Sequence, residues 1–351
     1  MEDKLKKMIQ EINPLDQDMM VQAVRRQGEL AKPAGSLGRL ESLSIQLAGI
    51  QRRLDPQLKN RVIFCLAADH GIARAGVSAF PAEVTPQMVY NFLSGGAGVN
   101  VLARQCGCKV VVADLGVNHD FPAGTELRDC KVAKGTKNML EGPAMTREQA
   151  IQSVLAGIEL VDSEPDLDIV GTGDMGIGNT TPSSAITAVL TGSPVAEITG
   201  RGTGLDDKGL SSKVAAIEKA LAFNKPDPTD GLDVLAKVGG FEIGGIAGVI
   251  IGGARRGVPV VIDGFISGAG ALIAQALAPQ VADYIIAAHR SVEIGHARAL
   301  EKLGQKPLFD FDLRLGEGTG AAMGIFTAGC AVAILNEMAT FAEAGVSEKD
   351  A

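Results

Sequence analysis

The sequence has no tryptophan, only two tyrosines and no excess of positive charge. Its 33 lysines and arginines are outnumbered by 41 aspartates and glutamates, a formal charge of −8. That balance repels phosphate polymers and argues against nucleic acid as the main partner. An anionic small substrate would need a local cationic site. Cysteine is scarce: Cys65, Cys106, Cys108, Cys130 and Cys330 are odd in number and lack the spacing of a disulfide scaffold. Cys106 and Cys108 have no second pair with which to hold zinc, so no metal is expected. No leading apolar segment resembles a signal peptide, and a reducing cytoplasm is the expected compartment. The longest apolar stretches, Ile243 to Ala254 and Ala321 to Leu335, fall short of the roughly 18–20 residues that cross a bilayer, so no membrane span is expected. Neither a Gly-Lys-Ser/Thr phosphate loop nor a Ser-His-Asp assignment presents itself.

What is abundant is glycine, 44 of 351 residues against a usual ~7%, which implies many turns or close backbone approaches. Apolar residues at 46% and charged residues at 21% describe a compact protein. The length fits two domains, or one large α/β domain with an appendage. Leu5, Met8, Ile9 and Ile12, then Met19, Met20, Val21 and Val24, have helical spacing up to a break at Lys32-Pro33. From Arg61 short apolar runs end in polar residues or glycine: R61-VIFCLAADHG, K109-VVVADLG, D166-LDIVGTGD, V258-PVVIDG and D283-YIIAAHRS. Parallel strands buried on both faces read this way. Helices are expected between them over Pro86 to Arg104, Thr146 to Val161, Ser211 to Phe223 and Ser291 to Leu303, and beyond Gly320. The acidic, proline-broken stretch Asp227 to Asp233 reads as a solvated loop. The expected fold is an α/β Rossmann-like, mostly parallel sheet over residues 58–315, with a smaller helical domain built from both chain ends, 1–57 and 316–351.

Three glycine-rich segments carry the candidate chemistry. In I169-VGTGDMGIGNTTPSSAI a strand runs into Gly171-x-Gly173-x-x-Gly176, then Gly178, Asn179, Thr180 and Thr181, as if backbone N–H groups met a phosphate at a helix start. A purely structural turn and a dinucleotide site are the other readings, although Asp174 would sit beside a pyrophosphate there. The second, T199-GRGTGLDD, sets Gly200, Gly202 and Gly204 around Arg201 and Thr203, with Lys213 either a cation for an anionic group or a solvated lysine on a helix face. The third, D310-FDLRLGEGTGAA, places Glu317 between Gly316 and Gly318, beside Arg314 and ahead of an apolar run. Desolvation there raises a carboxyl toward the pKa of a working base. Asp263, Gly264 and Ser291 fall at strand ends where α/β sheets gather ligands.

With these residues in view, the sequence resembles the nicotinate-nucleotide:dimethylbenzimidazole phosphoribosyltransferases of cobamide synthesis, the CobT family. The matching segments are K32-PAGSLGRLE, A68-DHGIARAGVS, E83-VT, G95-GAGVNVLAR, G171-TGDMGIGNTT, G200-RGTG, D263-GFISGA, S291-VEIGHARAL and L315-GEGTGAA, in order from residue 32 to residue 322. The resemblance implies a dimer and transfer of phosphoribose from nicotinate mononucleotide to an aromatic base, with inversion to an α-ribotide and no cofactor. It implies Glu317 as general base, with Asp174 where the family usually has Glu in its Gly-Glu-x-Gly-Ile-Gly run. Nucleotide and phosphate contacts are implied for Gly176, Gly178, Asn179, Thr180, Gly202, Lys213, Asp263, Gly264, Ser291, Leu315 and Gly316. The acceptor pocket maps to Phe80, Met88 and Met175, where relatives that use benzimidazoles often carry a hydroxyl and an amide at the first two. That apolar trio resembles forms attaching phenol or p-cresol, some of them built from two similar subunits. The acceptor is therefore expected to be dimethylbenzimidazole or a phenol, and the assembly a homodimer or a pair with a paralogue. Two rivals are a non-catalytic partner subunit of a paired transferase and an NAD-dependent oxidoreductase, the latter predicting NAD binding and a tolerated Glu317→Gln.

Overall fold

The computed structural model describes residues 1–202 and 204–347. Six strands form one parallel sheet: β1 (Arg61–Ala68), β2 (Lys109–Gly116), β3 (Arg128–Asp129), β4 (Ile169–Met175), β5 (Val260–Ile262) and β6 (Ile285–Ala287). Their order, β3-β2-β1-β4-β5-β6, is that of a doubly wound Rossmann-type sheet, whose direction of winding reverses between β1 and β4. Connections on either side of that reversal leave on opposite faces and open a crevice at the strand ends. Register carries Leu66 of β1 alongside Asp174 of β4, and Ala67 alongside Met175, so the chemistry-bearing end of β4 lies at the crevice.

Residues 62–68 of β1 are buried throughout, because helices cover both faces. One face carries Arg39–Gln51, Val84–Leu93, Gly98–Cys106 and Thr319–Glu337; the other carries Arg147–Asp162, Phe241–Arg255 and Phe265–Leu277. Glycine lets the second layer pack backbone on backbone: a β-carbon at Gly157 would overlap the Gly245 carbonyl, and one at Gly248 the Val154 carbonyl. The chain ends meet, Leu30 bridging Thr340 and Ala31 N–H donating to Ala339 O at 2.9 Å. The K32-PAGSLGRLE segment closes on itself through a buried pair, Lys32 Nζ to Glu41 Oε1 at 2.7 Å, while Glu41 also accepts Leu37 N–H.

Several expectations change. The helix foreseen over Pro86 to Arg104 is two, broken at Ser94-Gly95-Gly96 where Gly95 has φ +74°. The acidic stretch is only half a loop: Asp230 accepts N–H from Leu232 and Asp233 and so caps the helix Gly231–Val238. The apolar run near the C-terminus is part of a 19-residue helix, Thr319–Glu337, long and apolar enough by length and composition to cross a bilayer. Here it lies against β4, β5 and the helix Arg39–Gln51.

Candidate active site

Of the glycine motif that opens the first candidate segment, the first two members are not in a loop. Gly171 and Gly173 lie inside β4, where a β-carbon on Gly171 would press on Ala321 and Ile325, and one on Gly173 would overlap the Glu317 carbonyl oxygen. Their lack of a side chain brings the third segment down onto the first. This corrects the reading of a continuous phosphate cradle, which contracts to Gly176 through Thr180. Gly178 has φ +88°, and the helix Thr180–Thr191 starts directly after Asn179, a loop and helix start of the kind that can receive an anion. Pro182 is tolerated because it falls in the first turn.

At the end of β4, Asp174 is buried and its Oδ2 accepts from Asn179 Nδ2 at 2.9 Å. Burial pushes its pKa up to about 8, with the neighbouring charge of Asp263 adding and the Asn179 amide opposing. Glu317, 6% exposed, has φ +65°, and its Oε2 accepts Val99 N–H at 3.0 Å at the start of the helix Gly98–Cys106. Burial raises this carboxyl too, while the N–H groups of Val99 and Gly98 pull against it. The upward shift is in the sense expected for a working base. Leu315 and Gly316 stand beside it: Leu315 is exposed and close to Gly98, and Gly316 approaches the Asp174 carboxylate.

Asp263 is fully buried, Oδ2 accepting Gly318 N–H at 3.2 Å and Oδ1 accepting Ala321 N–H at 3.0 Å. Its side chain is closed off from open space and supports the Glu317 segment from beneath. Burial takes it up to about 7, with the N–H groups of Ala321, Gly320 and Gly318 opposing. Gly264 neighbours His289 and Ser291. Ser291 N–H donates to His296 Nδ1 at 3.0 Å, and Ser291 Oγ accepts Glu293 N–H at 3.3 Å.

Lys213 is not a solvated lysine. It is fully buried, donating to Thr180 Oγ1 at 2.7 Å and to Gly200 O at 3.2 Å. It thereby ties the second glycine segment to the helix start of the first, and burial lowers it to about 8 against the charge of Glu293. Gly202, φ +53°, sits against Thr180 and Lys213, while Thr203 lies outside the described residues. A cleft of about 350 Å³ runs between residues 199–202 with Gly204 and residues 292–294, with Arg314 on its wall. Met88 and Met175 pack on one apolar cluster at the end of β1; Phe80, on the loop before Val84–Leu93, is 52% exposed.

Two acids escaped the sequence reading. Glu293 lines the cleft beside Lys213, and its only sequence signal was membership of S291-VEIGHARAL. Glu242, fully buried, meets His70 Nε2 through Oε1 at 2.7 Å; nothing in its apolar surroundings signalled it. Burial works against charge on His70, yet Glu242 prevails and its pKa is raised. The His70 imidazole also backs Gly176. A cavity of about 1020 Å³, larger than the cleft at Glu293, opens beyond β1 to β3 among Asp69, His70, Arg74, His119, Lys134 and Lys137; none of the expected site residues lines it.

A doubly wound sheet carrying a glycine loop and helix start after β4, a buried lysine and a buried carboxyl with a raised pKa has the parts of a group-transfer enzyme. Residues 12–346 match the family model described as phosphoribosyltransferase. The chain is 58% identical over 347 residues, 98% of each sequence, to the nicotinate-nucleotide–dimethylbenzimidazole phosphoribosyltransferase of Chloroflexus aggregans. It is 57% identical to that of Desulforudis audaxviator, over 99% of both. The crystal structure of CobT from Thermus thermophilus superposes with a TM-score of 0.91 at 45% identity, covering 95% of this chain and 100% of that one. The chain belongs to the nicotinate-nucleotide–dimethylbenzimidazole phosphoribosyltransferase family and is a phosphoribosyltransferase.

Proposed function

We propose that this enzyme moves the phosphoribosyl group of nicotinate mononucleotide to an aromatic acceptor, with Glu317 as general base. The observation that carries the reading is the Glu317 carboxyl, buried and raised, in a turn whose Gly316 neighbours Asp174, which Asn179 bonds at the Thr180 helix start where Lys213 also docks. The phosphate rests on Gly176 to Thr180 with Gly202 and Ser291 beside it, and Lys213 supplies the charge. The bond from the anomeric carbon to the pyridinium nitrogen breaks, and its electron pair leaves on nicotinate as a neutral ring nitrogen, so departure needs no acid. The acceptor's unprotonated ring nitrogen, or a phenol's oxygen, forms the new bond from the opposite face, while the acceptor's N–H or O–H proton passes to Glu317, leaving an α-ribotide. Asp174, protonated over part of the neutral range, is the second group able to exchange a proton there.

The acceptor is either dimethylbenzimidazole, the base in the relatives' names, or a phenol. Phe80, Met88 and Met175 favour the phenol: they offer shape and sulfur–aromatic contact but no partner for a second ring nitrogen, and an unpaired buried polar atom costs roughly 1–3 kcal/mol. A phenol ionises near ~10 and needs the base. We place the enzyme in the cytoplasm, on its free cysteines, and as a dimer, with itself or a paralogue. We also divide it into a helical unit, 1–57 with 316–351, and a sheet unit, 58–315; the packing of Gln17–Glu29 and Arg39–Gln51 on Thr319–Glu337 supports the division. The test is nicotinate release by the purified chain with dimethylbenzimidazole and with p-cresol. Release with p-cresol alone establishes a phenol pocket, and release with both a tolerant one. Release with neither makes the chain a partner subunit and overturns the reading.

A further inference from the structure

The turn that carries Glu317 is an improbable piece of backbone. Gly316, Glu317 and Gly318 have φ of +80°, +65° and +103°, and the left-handed region disfavours a residue with a β-carbon by roughly 1–2 kcal/mol. Such a conformation persists only where its surroundings over-determine it. Part of that fixing is the Val99 N–H, which holds the carboxylate itself. The rest comes from below, where Asp263 takes the N–H groups of Gly318 and Ala321 and so seats the first turn of the helix Thr319–Glu337. The seat is close-fitting: a β-carbon on Gly320 would overlap the His289 ring and press on Asp263 Oδ1, and one on Gly318 would press on Ile63.

We propose that Asp263 is a positioning residue for the transfer, acting through the Gly316–Gly318 turn to hold the Glu317 carboxylate at the acceptor, without touching either substrate. The inference rests on the reading of Glu317 as the base. Full burial beneath the turn denies Asp263 a substrate contact, and its bonds reach the residues on either side of the helix start, one position from Glu317. An ionised carboxylate accepting backbone N–H groups grips more strongly than a neutral group. Asp174, Glu317 and His289, whose Nε2 is 3.9 Å from Oδ1, are the titratable groups that face it. Protonation of Asp263 replaces an acceptor with an O–H and loosens the seat, so its titration contributes to the acid limb of turnover.

The experiment is a cycle of Asp263→Asn, Glu317→Gln and the double variant, each assayed for nicotinate release from nicotinate mononucleotide, with folding followed by circular dichroism. The amide introduced by Asp263→Asn would turn a donor toward a backbone donor, so this change should lower kcat by about 10- to 100-fold, with KM for the nucleotide within about threefold. In the Glu317→Gln background the same change should cost less than about threefold, since the group it positions is gone. The acid limb of kcat should move to lower pH, because the charge that raises Asp174 is removed. A rise in KM with kcat intact would make Asp263 a substrate contact, and equal losses in both backgrounds would make it merely structural; either overturns the inference. Near-normal turnover by Glu317→Gln overturns the base reading instead. Should Asp263→Asn fail to fold, Asp263→Glu, which keeps the carboxylate, runs through the same cycle with the same criteria.

Discussion

Past the ends of β1, β2 and β3 the molecule opens into a cavity of about 1020 Å³ rimmed by Arg74, Lys134 and Lys137, all exposed. Past β4, β5 and β6 it closes down, and Asp174, Asp263, Glu293, Glu317 and Lys213 are buried within it. The larger hollow leaves those three cations exposed to water. In the tighter half, burial raises four carboxyls and lowers an amine. Proton transfer near neutral pH needs groups of that second kind, so the volume of a hollow is a poorer guide to the chemistry here than the charges removed from solvent.

The sharpest way to break this contrast is Glu317→Gln, expected to lower turnover by about 10²-fold or more in a nicotinate-release assay; the oxidoreductase reading requires no such loss. Gly173→Ala comes next. Its β-carbon meets backbone rather than a movable side chain, so a destabilisation of about 1–3 kcal/mol is expected by thermal or urea unfolding, together with loss of activity as the Glu317 turn is displaced. Lys213→Met should raise KM for nicotinate mononucleotide about tenfold with a smaller change in kcat. In the unaltered enzyme that KM should climb as pH rises through about 8, because a lysine loses its charge above its pKa. The smallest effect belongs to the other half: Arg74→Ala with Lys137→Ala should leave kcat and KM within about twofold, and a tenfold change would erase the distinction between the halves.

Much of the fold was legible because strands buried on both faces read as unbroken apolar runs, and five of the six were placed. β3 was missed, since two exposed residues, Arg128 and Asp129, leave no such run. The helices Phe241–Arg255 and Phe265–Leu277 gave no amphipathic stripe because they are buried almost all round. Of Thr180–Thr191 only the start was read, its extent obscured by two threonines and a proline, poor helix formers at positions where the first turn tolerates them. In the site, Glu317 stood out because glycines flank it ahead of an apolar stretch. Roles that depend on distant partners did not: Glu242 is 172 residues from His70, and Lys213 was left between a cation and a solvated lysine until Thr180 and Gly200 closed around it. Gly171 and Gly173 matched a phosphate pattern by spacing alone, while their actual neighbours, Glu317 and Ala321 among them, arrive far later in the chain.

That pair of glycines bears on how such an enzyme can be altered. Where Gly173 of β4 meets the Glu317 turn, the contact is backbone against backbone, so there is no side chain to trim or enlarge and nothing for substitution to tune. Phe80 sits on an exposed loop and Met88 on the face of a short helix, where replacing either leaves the turn undisturbed. Protein engineers seeking a different acceptor thus have a changeable lip and an unchangeable anvil, and libraries directed at residues 80, 88 and 175 should yield folded, active variants far more often than libraries directed at 171, 173, 316 and 318.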